Sequence, residues 1–572
     1  AQLLLVITHR PEWRPPFLGQ AHTTSLQLNR LGRRQIAEIV RSISENAIPE
    51  LIVEHIVNRT DGVPLFVEEM TRSVIEGGVS AATEGGDIPN SLQASLMARL
   101  DRLPASAREI AQVASVIGRE VNLQLLADAS GLGENDIAKP IEDLLNSQLM
   151  LKGRIASDAA IVFRHALIRD AAYQSLLSRR RREIHERIAE ALERGFPAVV
   201  DAQPELVARH FAEAGRVEEA IAYWRRAGGR AAEFVANHEA VDHYRNALAR
   251  LDLLTSDARR DKMELEIRLE LGLPLIAATG YASDAVQDNY ERAREISARF
   301  GDDDALFAAT RGLWNCVYDR GDLDRAFELV DQLVQLANAA QDSDKTLLAQ
   351  RALGSTEKCR GALDAASTAF EACIAAAEGH PLSAALKKHG EAPQIIAGQY
   401  MGWTNCVRGR LDEGLYQVMT ANDLARDLAH PLTMAFSLQI LSVAHLLRRE
   451  YEKCCAVGGE NARLADEHGF VFWSAGSKVL SGSARAHLGD VEAGLAEAAQ
   501  GLRDWRATGA GLHVPTWSAF LADAAVCAGA FDMAETVIDD GLRAVHANNE
   551  RLALAELQRL SGHVALHRGD VD

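Results

Sequence analysis

Apolar positions recur along this chain in more than one rhythm. Residues 2–8, Gln-Leu-Leu-Leu-Val-Ile-Thr, form a short run that predicts a buried strand of the parallel type. His9-Arg10-Pro11 ends it, because proline cannot continue a ladder. Beyond it the period becomes helical over 30–44 and 50–60. The turn Asp61-Gly62-Val63-Pro64 then opens a helix over 65–75, with Pro64 at the first helical position, where its missing N–H costs nothing. A Gly/Ala/Ser/Thr stretch over 77–86 predicts a linker. Helices are expected over about 91–102, 105–116, 122–129 and 135–146, then two short apolar segments at 149–152 and 161–163. Helices followed by a small hairpin are the pattern of a winged-helix domain. From His165 onward the pattern is helix with short turns.

A longer rhythm overlies the helical one. Gly-Asp-Leu-Asp-Arg-Ala begins at Gly321, Gly-Ala-Leu-Asp-Ala-Ala at Gly361 and Gly-Arg-Leu-Asp-Glu-Gly at Gly409. Arg-Glu-Tyr-Glu-Lys-Cys begins at Arg449, Gly-Asp-Val-Glu-Ala-Gly at Gly489, Gly-Ala-Phe-Asp-Met-Ala at Gly529, and Gly-Asp-Val-Asp at Gly569. The steps are 40, 48, 40, 40, 40 and 40 residues, and an earlier relative, Gly-Arg-Val-Glu-Glu-Ala, stands at Gly215. The glycine predicts a left-handed helix stop. The apolar third residue packs between helices. The acidic fourth residue sits in the first turn of the next helix, where the dipole favours it. The sixth is small (Ala326, Ala366, Gly414, Cys454, Gly494, Ala534), so two helices can approach closely. Arg449 breaks the glycine rule but keeps the register. The plain alternative is an irregular bundle with coincidental glycines, which four consecutive steps of 40 argue against. Such repeats stack into a solenoid with a concave binding surface.

Composition narrows the functional classes. The chain has 572 residues, 47% hydrophobic and only 5% aromatic, which favours helix over sheet. Its net charge of -19 disfavours nucleic-acid binding by the chain as a whole. The seven cysteines are odd in number and form no CxxC pair, so they read as reduced thiols packed in the core of a cytoplasmic protein. No apolar run approaches about 18 residues, which predicts no transmembrane helix. Both ends read as cut: Ala1 opens inside a strand and Asp572 falls within a repeat motif, so a piece of a longer protein is expected.

The turn motif resembles the tetratricopeptide repeat, whose unit is ordinarily ~34 residues. A longer step implies longer helices, as in the superhelical sensor domains of some signalling ATPases. Three stretches among residues 1–180 carry a second resemblance. Val6-Ile7-Thr8-His9-Arg10 looks like the strand end of a STAND-class (signal-transducing, AAA+-like) ATPase. There a Thr/Arg pair senses the terminal phosphate, a guanidinium binding it as a fork. Gly62-Val63-Pro64-Leu65-Phe66-Val67-Glu68-Glu69 resembles the G-x-P motif of that class's helical lid, whose proline packs near adenine. Phe163-Arg164-His165 through Arg169-Asp170 and Tyr173 resembles the end of its winged helix, where a histidine reaches the β-phosphate of ADP. The last two stretches are similar to bacterial proteins that join a class III adenylate/guanylate cyclase domain to such an ATPase and its repeats. The resemblance therefore implies part of an ATP/ADP site at Thr8, Arg10, Gly62, Pro64 and His165. No G-x-x-x-x-G-K-[ST] loop exists in the chain and no Gly-Lys dipeptide occurs. Phosphate cradle and Mg are expected only with a missing upstream part, and the fragment itself is expected not to be catalytic.

Each of these residues also has a plainer reading. Arg10 is then a solvated strand-end arginine, Gly62 and Pro64 an ordinary turn and helix start, His165 a satisfied histidine at a strand–helix junction. The run Arg179 to Arg182 reads as a solvated helix face paired at i,i+4 with Glu183, Glu186 and Glu190, or else as a docking surface for an upstream domain. His185-Glu186 and His238-Glu239 lack the second histidine of HExxH, no GxSxG elbow is present, and no metal site or catalytic residue is expected.

The expected fold is mainly α: a remnant α/β strand (1–12), a helical lid (13–78), a linker (79–90), a winged-helix domain (91–178), a helical connector with a first repeat (179–255), and an α-α superhelix of tetratricopeptide-like repeats (256–572). The expected function is the regulatory and sensor region of a signal-transducing, cyclase-linked ATPase, its solenoid binding a protein or small ligand and its N-terminal half contacting the upstream ATPase/cyclase domain. The rivals are an ATPase-type transcription activator lacking its DNA-binding end and a repeat scaffold with a degenerate ATPase remnant.

Overall fold

The computed structural model describes residues 6–9, 13, 23–77, 91–153, 160–379 and 381–569. The chain divides into two compact units, 1–216 and 217–572. Arg10, residues 2–5 of the expected strand, the whole 79–90 linker and the end of the last repeat motif lie outside the described residues. Val6 to His9 carry no secondary structure, and Val6 is 75% exposed. The three described strands pair only with one another, so residues 6–8 join no ladder among the described residues, and the expected strand is corrected to that extent.

In the first unit, α1 (Arg33–Ile43), α2 (Glu50–Arg59) and α3 (Pro64–Gly77) pack around Ile36, Val40, Ile52, Ile56, Val67 and Met70. Gly62 turns into α3 with φ 71°, its carbonyl accepting from the Leu31 N–H at 2.8 Å. A Cβ on Gly62 would meet the Leu31 carbonyl oxygen at 2.5 Å, so the turn admits only glycine without rearrangement. Next come α4 (Leu92–Asp101), α5 (Ala105–Ile117), β1 (Glu120–Asn122), α6 (Leu123–Ser130) and α7 (Glu134–Asn146). β2 (Met150–Lys152) and β3 (Ala160–Phe163) follow, in an antiparallel sheet of order β1-β3-β2. The hairpin matches the sequence reading, while β1 escaped it because three residues show no period. Arg99 of α4, with its side chain buried, donates to Glu69 and, at 2.7 Å each, to Glu76 and the Ser147 carbonyl, tying α3 to α4. The unit ends with α8 (Ala166–Gln174), α9 (Ser178–Gly195), α10 (Pro197–Ala202) and α11 (Pro204–Ala214). Arg179 pairs with Glu183 at 3.1 Å, Arg180 with Glu109 at 2.7 Å, and Arg181 lies over the Tyr173 ring at 4.3 Å. These three arginines thus spend their charge within the chain.

The second unit is an α-α superhelix. It runs α12 (Val217–Glu233), α13 (Asn237–Leu251), α14 (Ala258–Thr279), α15 (Asp284–Phe300), α16 (Asp303–Arg320), α17 (Leu323–Ala340), α18 (Ser343–Arg360), α19 (Leu363–Ala376) and α20 (Leu382–His389). It continues with α21 (Pro393–Val407), α22 (Leu411–Leu428), α23 (Pro431–Leu447), α24 (Tyr451–His468), α25 (Val471–His487), α26 (Val491–Ala507), α27 (Val514–Cys527), α28 (Phe531–Asn548) and α29 (Leu554–Arg568). The two helices of a repeat differ. α23 buries twelve of its seventeen residues and α24 only four of eighteen, so the first helix is covered nearly all round and the second has a solvated face. Gly321, Gly361, Gly409, Gly489, Gly529 and Gly569 all have φ between 75° and 99°, and Arg449 takes the same left-handed state at 59°. The small sixth position is explained by contact: a Cβ on Gly414 would meet the Gly402 carbonyl oxygen at 2.5 Å, and one on Gly494 the Gly482 carbonyl oxygen at 2.7 Å. The single step of 48 is the insertion of α20.

The superhelix also bonds to itself across a seam. The Asp319 carbonyl accepts from the N–H groups of Gly511 and Leu512, both at 3.1 Å. The Cys359 carbonyl accepts from those of Arg551 and Leu552, at 2.8 and 3.2 Å. The offset is the same in both (319 to 511, 359 to 551), so the seam keeps the 40-residue register on either side.

Candidate functional site

Two clusters gather chemistry, one in each unit. In the first unit, Pro64 starts α3, and one turn later Glu68 faces the segment between β3 and α8. Its carboxylate accepts from Arg164 at 2.8 Å and from Arg72 at 3.2 Å, and lies 3.8 Å from Nε2 of His165. Arg72 and Arg164 also share the side-chain oxygen of Gln148, at 2.5 and 3.3 Å. His165 is the N-cap residue of α8, and its Nε2 is buried without a hydrogen bond. The two resemblance motifs, lid turn and histidine segment, therefore meet through Glu68. Thr8 stands exposed outside secondary structure and makes no hydrogen bond to described residues; Arg10 is not described. Two guanidinium groups and an imidazole converge here on one carboxylate of the chain itself. The set suits an anion, but Glu68 already fills that role and Glu69 lies close by, so a phosphate does not fit as arranged.

Behind this cluster, Tyr173 Oη lies 3.1 Å from Nε2 of His185, whose Nδ1 lies 2.9 Å from Nδ1 of His210. Burial pushes both imidazoles down, to about 4 and about 3, so the pair is neutral at pH 7.

The second cluster lies on the inner side of the superhelix, where α16, α18, α21, α23, α25 and α27 face a cavity of about 120 Å³. Its wall is aromatic. The Trp403 and Trp517 centroids are 6.3 Å apart, those of Trp505 and Trp517 5.4 Å, and those of Phe472 and Trp505 3.9 Å. The helix inserted by the 48-residue step carries the chain to Glu391, which pairs with Arg351 and, at 3.4 Å, with Arg311. Arg351 also lies 4.7 Å over the Trp314 ring. Asp319 lines the same cavity, and burial pushes its carboxyl up to about 7. Lys358 is fully buried. Its Nζ lies 3.8 and 4.1 Å from the ring centres of Trp403 and Tyr400 and makes no hydrogen bond. Arg351 Nε, Gln439 Oε1, Trp517 Nε1 and both ring nitrogens of His513 are likewise buried and unbonded. Native interiors leave few polar atoms in this state, and those that line a cavity can bond to what enters it.

The sequence reading missed this cluster because its members come from repeats far apart along the chain. Two signals pointed to it. One is the irregular step that delivers Glu391. The other is tryptophan, five of whose seven residues lie between 314 and 517. The cysteines need one correction: Cys527 is exposed at a helix end, whereas Cys359 is buried against the Tyr318 hydroxyl at 3.3 Å.

No protein-family model matches the chain. An uncharacterized protein of Rhizobium meliloti (strain 1021) is 26% identical over 589 residues, covering 99% of this chain and 56% of that protein. The chain thus spans about half the length of that relative. Among solved structures, a signal-transduction ATPase with numerous domains, bearing a tetratricopeptide-repeat sensor, from Pyrococcus horikoshii superposes with a TM-score of 0.51. The identity is 12%, over 96% of this chain and 77% of that one. A Rap protein complexed with competence and sporulation factor gives a TM-score of 0.41 at 9% identity, over 61% of this chain and 99% of that one. At 12% identity the likeness to the signal-transduction ATPase is one of fold, helices leading into a helical-repeat superhelix. Among the described residues no helix is long and apolar enough to cross a membrane.

Proposed function

We propose that this chain is the regulatory and sensor region of a cytoplasmic signal-transducing ATPase of the STAND kind, joined in the whole protein to a cyclase output. The superhelix is the sensor arm, and its inner cavity is where the signal binds. The observation that carries this reading is the set of buried, unbonded polar groups around the aromatic cavity. A volume of about 120 Å³ holds a few water molecules or a ligand of benzene size. A protein segment or larger ligand would need the cavity walls to part, and the seam bonds at Asp319 lie on that wall. That links occupancy to the shape of the arm, and a ligand shifts such an equilibrium by its differential affinity for the two shapes.

In the same reading the β1-β3-β2 sheet with its helices is a winged-helix module, and α1 to α3 are the nucleotide lid. Arg164 and His165 would hold an ATP or ADP phosphate once Glu68 releases them, and Pro64 would line the base. Because Glu68 occupies those cations, this chain binds nucleotide weakly on its own. Calorimetry with ADP tests the lid: weak binding is expected, tightened in Glu68→Gln, and micromolar binding by the unaltered chain would refute it. The sensor reading is tested by a thermal-shift screen of peptides and metabolites against the chain and its Gln439→Ala and Glu391→Gln variants. Stabilising compounds that lose their effect in both folded variants support it. Compounds indifferent to both variants place binding elsewhere.

A further inference from the structure

His513 lines the sensor cavity, but its ring also faces two buried groups that lie outside that lining. His513 precedes α27 with its backbone in the left-handed region at φ 63°, which turns the ring inward between Trp403 and Trp517. The residue is 95% buried, and neither ring nitrogen makes a hydrogen bond. Nδ1 lies 3.5 Å from Oε1 of Glu550, a fully buried carboxyl that accepts from the His513 backbone N–H at 2.9 Å. Cys359, also fully buried, comes from the other side of the seam. Its Sγ, a ring nitrogen of His513 and a carboxyl oxygen of Glu550 all lie within 4.8 Å of one another. We propose that Cys359, His513 and Glu550 form a binding site for a divalent metal of the zinc class, which staples adjacent turns of the superhelix.

The chemistry selects the ion. Thiolate, imidazole and carboxylate together suit zinc, with cobalt as its spectroscopic stand-in, and do not suit magnesium or calcium, which take oxygen ligands. Bonds of roughly 2.0–2.3 Å place tetrahedral ligands between three and four ångström apart, so the three side chains need only draw together. The backbone anchors are already set, since Arg551 N and Leu552 N hold the Cys359 carbonyl and Glu550 holds His513. Charge balances as well. Burial keeps the Cys359 thiol and the Glu550 carboxyl protonated at neutral pH, pushed up to about 11 and about 8. When the ion binds, the thiol and the carboxyl each lose a proton to solvent, so two positive charges enter and two leave. Lys358 stands beside the cluster with its Nζ over the Trp403 and Tyr400 rings, and burial pushes it down, toward the neutral form that repels an ion least.

The test uses the full chain, stripped by a chelator under reducing conditions and titrated with Co²⁺, then Zn²⁺. The expected result is one Co²⁺ per chain with a thiolate-to-cobalt charge-transfer band that Zn²⁺ abolishes, about two protons released at neutral pH, and slower hydrogen exchange at Arg551 and Leu552. Cys359→Ser removes the band, the near-isosteric Glu550→Gln weakens binding at least tenfold, and Cys527→Ser changes neither. A folded chain that gives no band overturns the proposal. So does a band that survives Cys359→Ser, or one lost only in Cys527→Ser, which would place the ion at His487, Asp523 and Cys527. Should Cys359→Ser unfold the chain, the unaltered chain decides alone, because cobalt bound without a thiolate band also overturns it.

Discussion

The Glu68 cluster and the inner cavity of the superhelix are both built from charges, but water treats them differently. Glu68, Arg164 and His165 keep 23%, 25% and 32% of their side-chain surface exposed. Each contact there is screened, and losing one is cheap because water replaces it. In the cavity Arg351 keeps 7% and Glu391 14%, and next to its aromatic wall Lys358 and Glu550 are fully buried. There no solvent substitutes for a lost partner. The first cluster is therefore built to exchange partners, and the second to hold still until the right group completes it.

The largest expected effect tests that contrast directly. Glu391→Ala leaves Arg351 buried beside Trp314 without its carboxylate, and should cost about 3–5 kcal/mol in urea unfolding. Glu68→Ala frees Arg72 and Arg164, two cations that water can reach, and should cost at most about 1 kcal/mol, less in high salt. Equal costs for the two substitutions would break the comparison.

A second test uses pH, on chelated chain. Burial raises Asp319 to about 7 and Glu550 to about 8, so the folded chain keeps protons that the unfolded chain has released above its ordinary carboxylate range. Stability then falls as pH rises, by up to about 1.4 kcal/mol per pH unit for each such group, until pH passes the folded value. The depressed histidines, His185, His210, His430 and His513, act oppositely, but only below about 6.5, where the unfolded imidazole gains its proton. From pH 6.5 to 8 the acids act without that opposition, and the thermal midpoint should drop. Glu550→Gln should flatten most of the drop between 7 and 8. An unchanged slope in that variant would move the titration to another group.

Which parts were readable in the sequence follows the same division between local and distant. The superhelix was readable because each turn repeats a local rule, a left-handed stop and a small residue at fixed offsets. Pro64 opening α3 and the β2–β3 hairpin were equally local. Pro64 and His165 were readable as separate motifs, but nothing in either announces that Glu68 joins them, since that contact spans 96 residues. The cavity was hidden for the same reason. Lys358 and Cys359 look like the end of one more repeat helix, and His513 like a loop residue, until the seam brings them together.

The smallest prediction concerns the one turn where the repeat breaks its own rule. Arg449 adopts φ 59°, in the left-handed region its glycine counterparts enter more freely, and its N–H still closes the helix end on the Leu446 carbonyl at 2.9 Å. The hydrogen bond is thus intact, and the cost is steric, Cβ against its own carbonyl, of about 1–2 kcal/mol. Glycine would relieve that strain but would widen the unfolded ensemble by about 0.4–1 kcal/mol. The difference leaves Arg449→Gly stabilising by about 0.5–1 kcal/mol, read as a small rise in the urea midpoint at unchanged m-value. Gly409→Ala, forty residues earlier at φ 82° with open space around its Cβ, imposes the same steric cost in reverse and should destabilise. If both substitutions moved stability the same way, the turn would be governed by side-chain contacts of Arg449 and not by backbone conformation, and the shared glycine would lose its physical account.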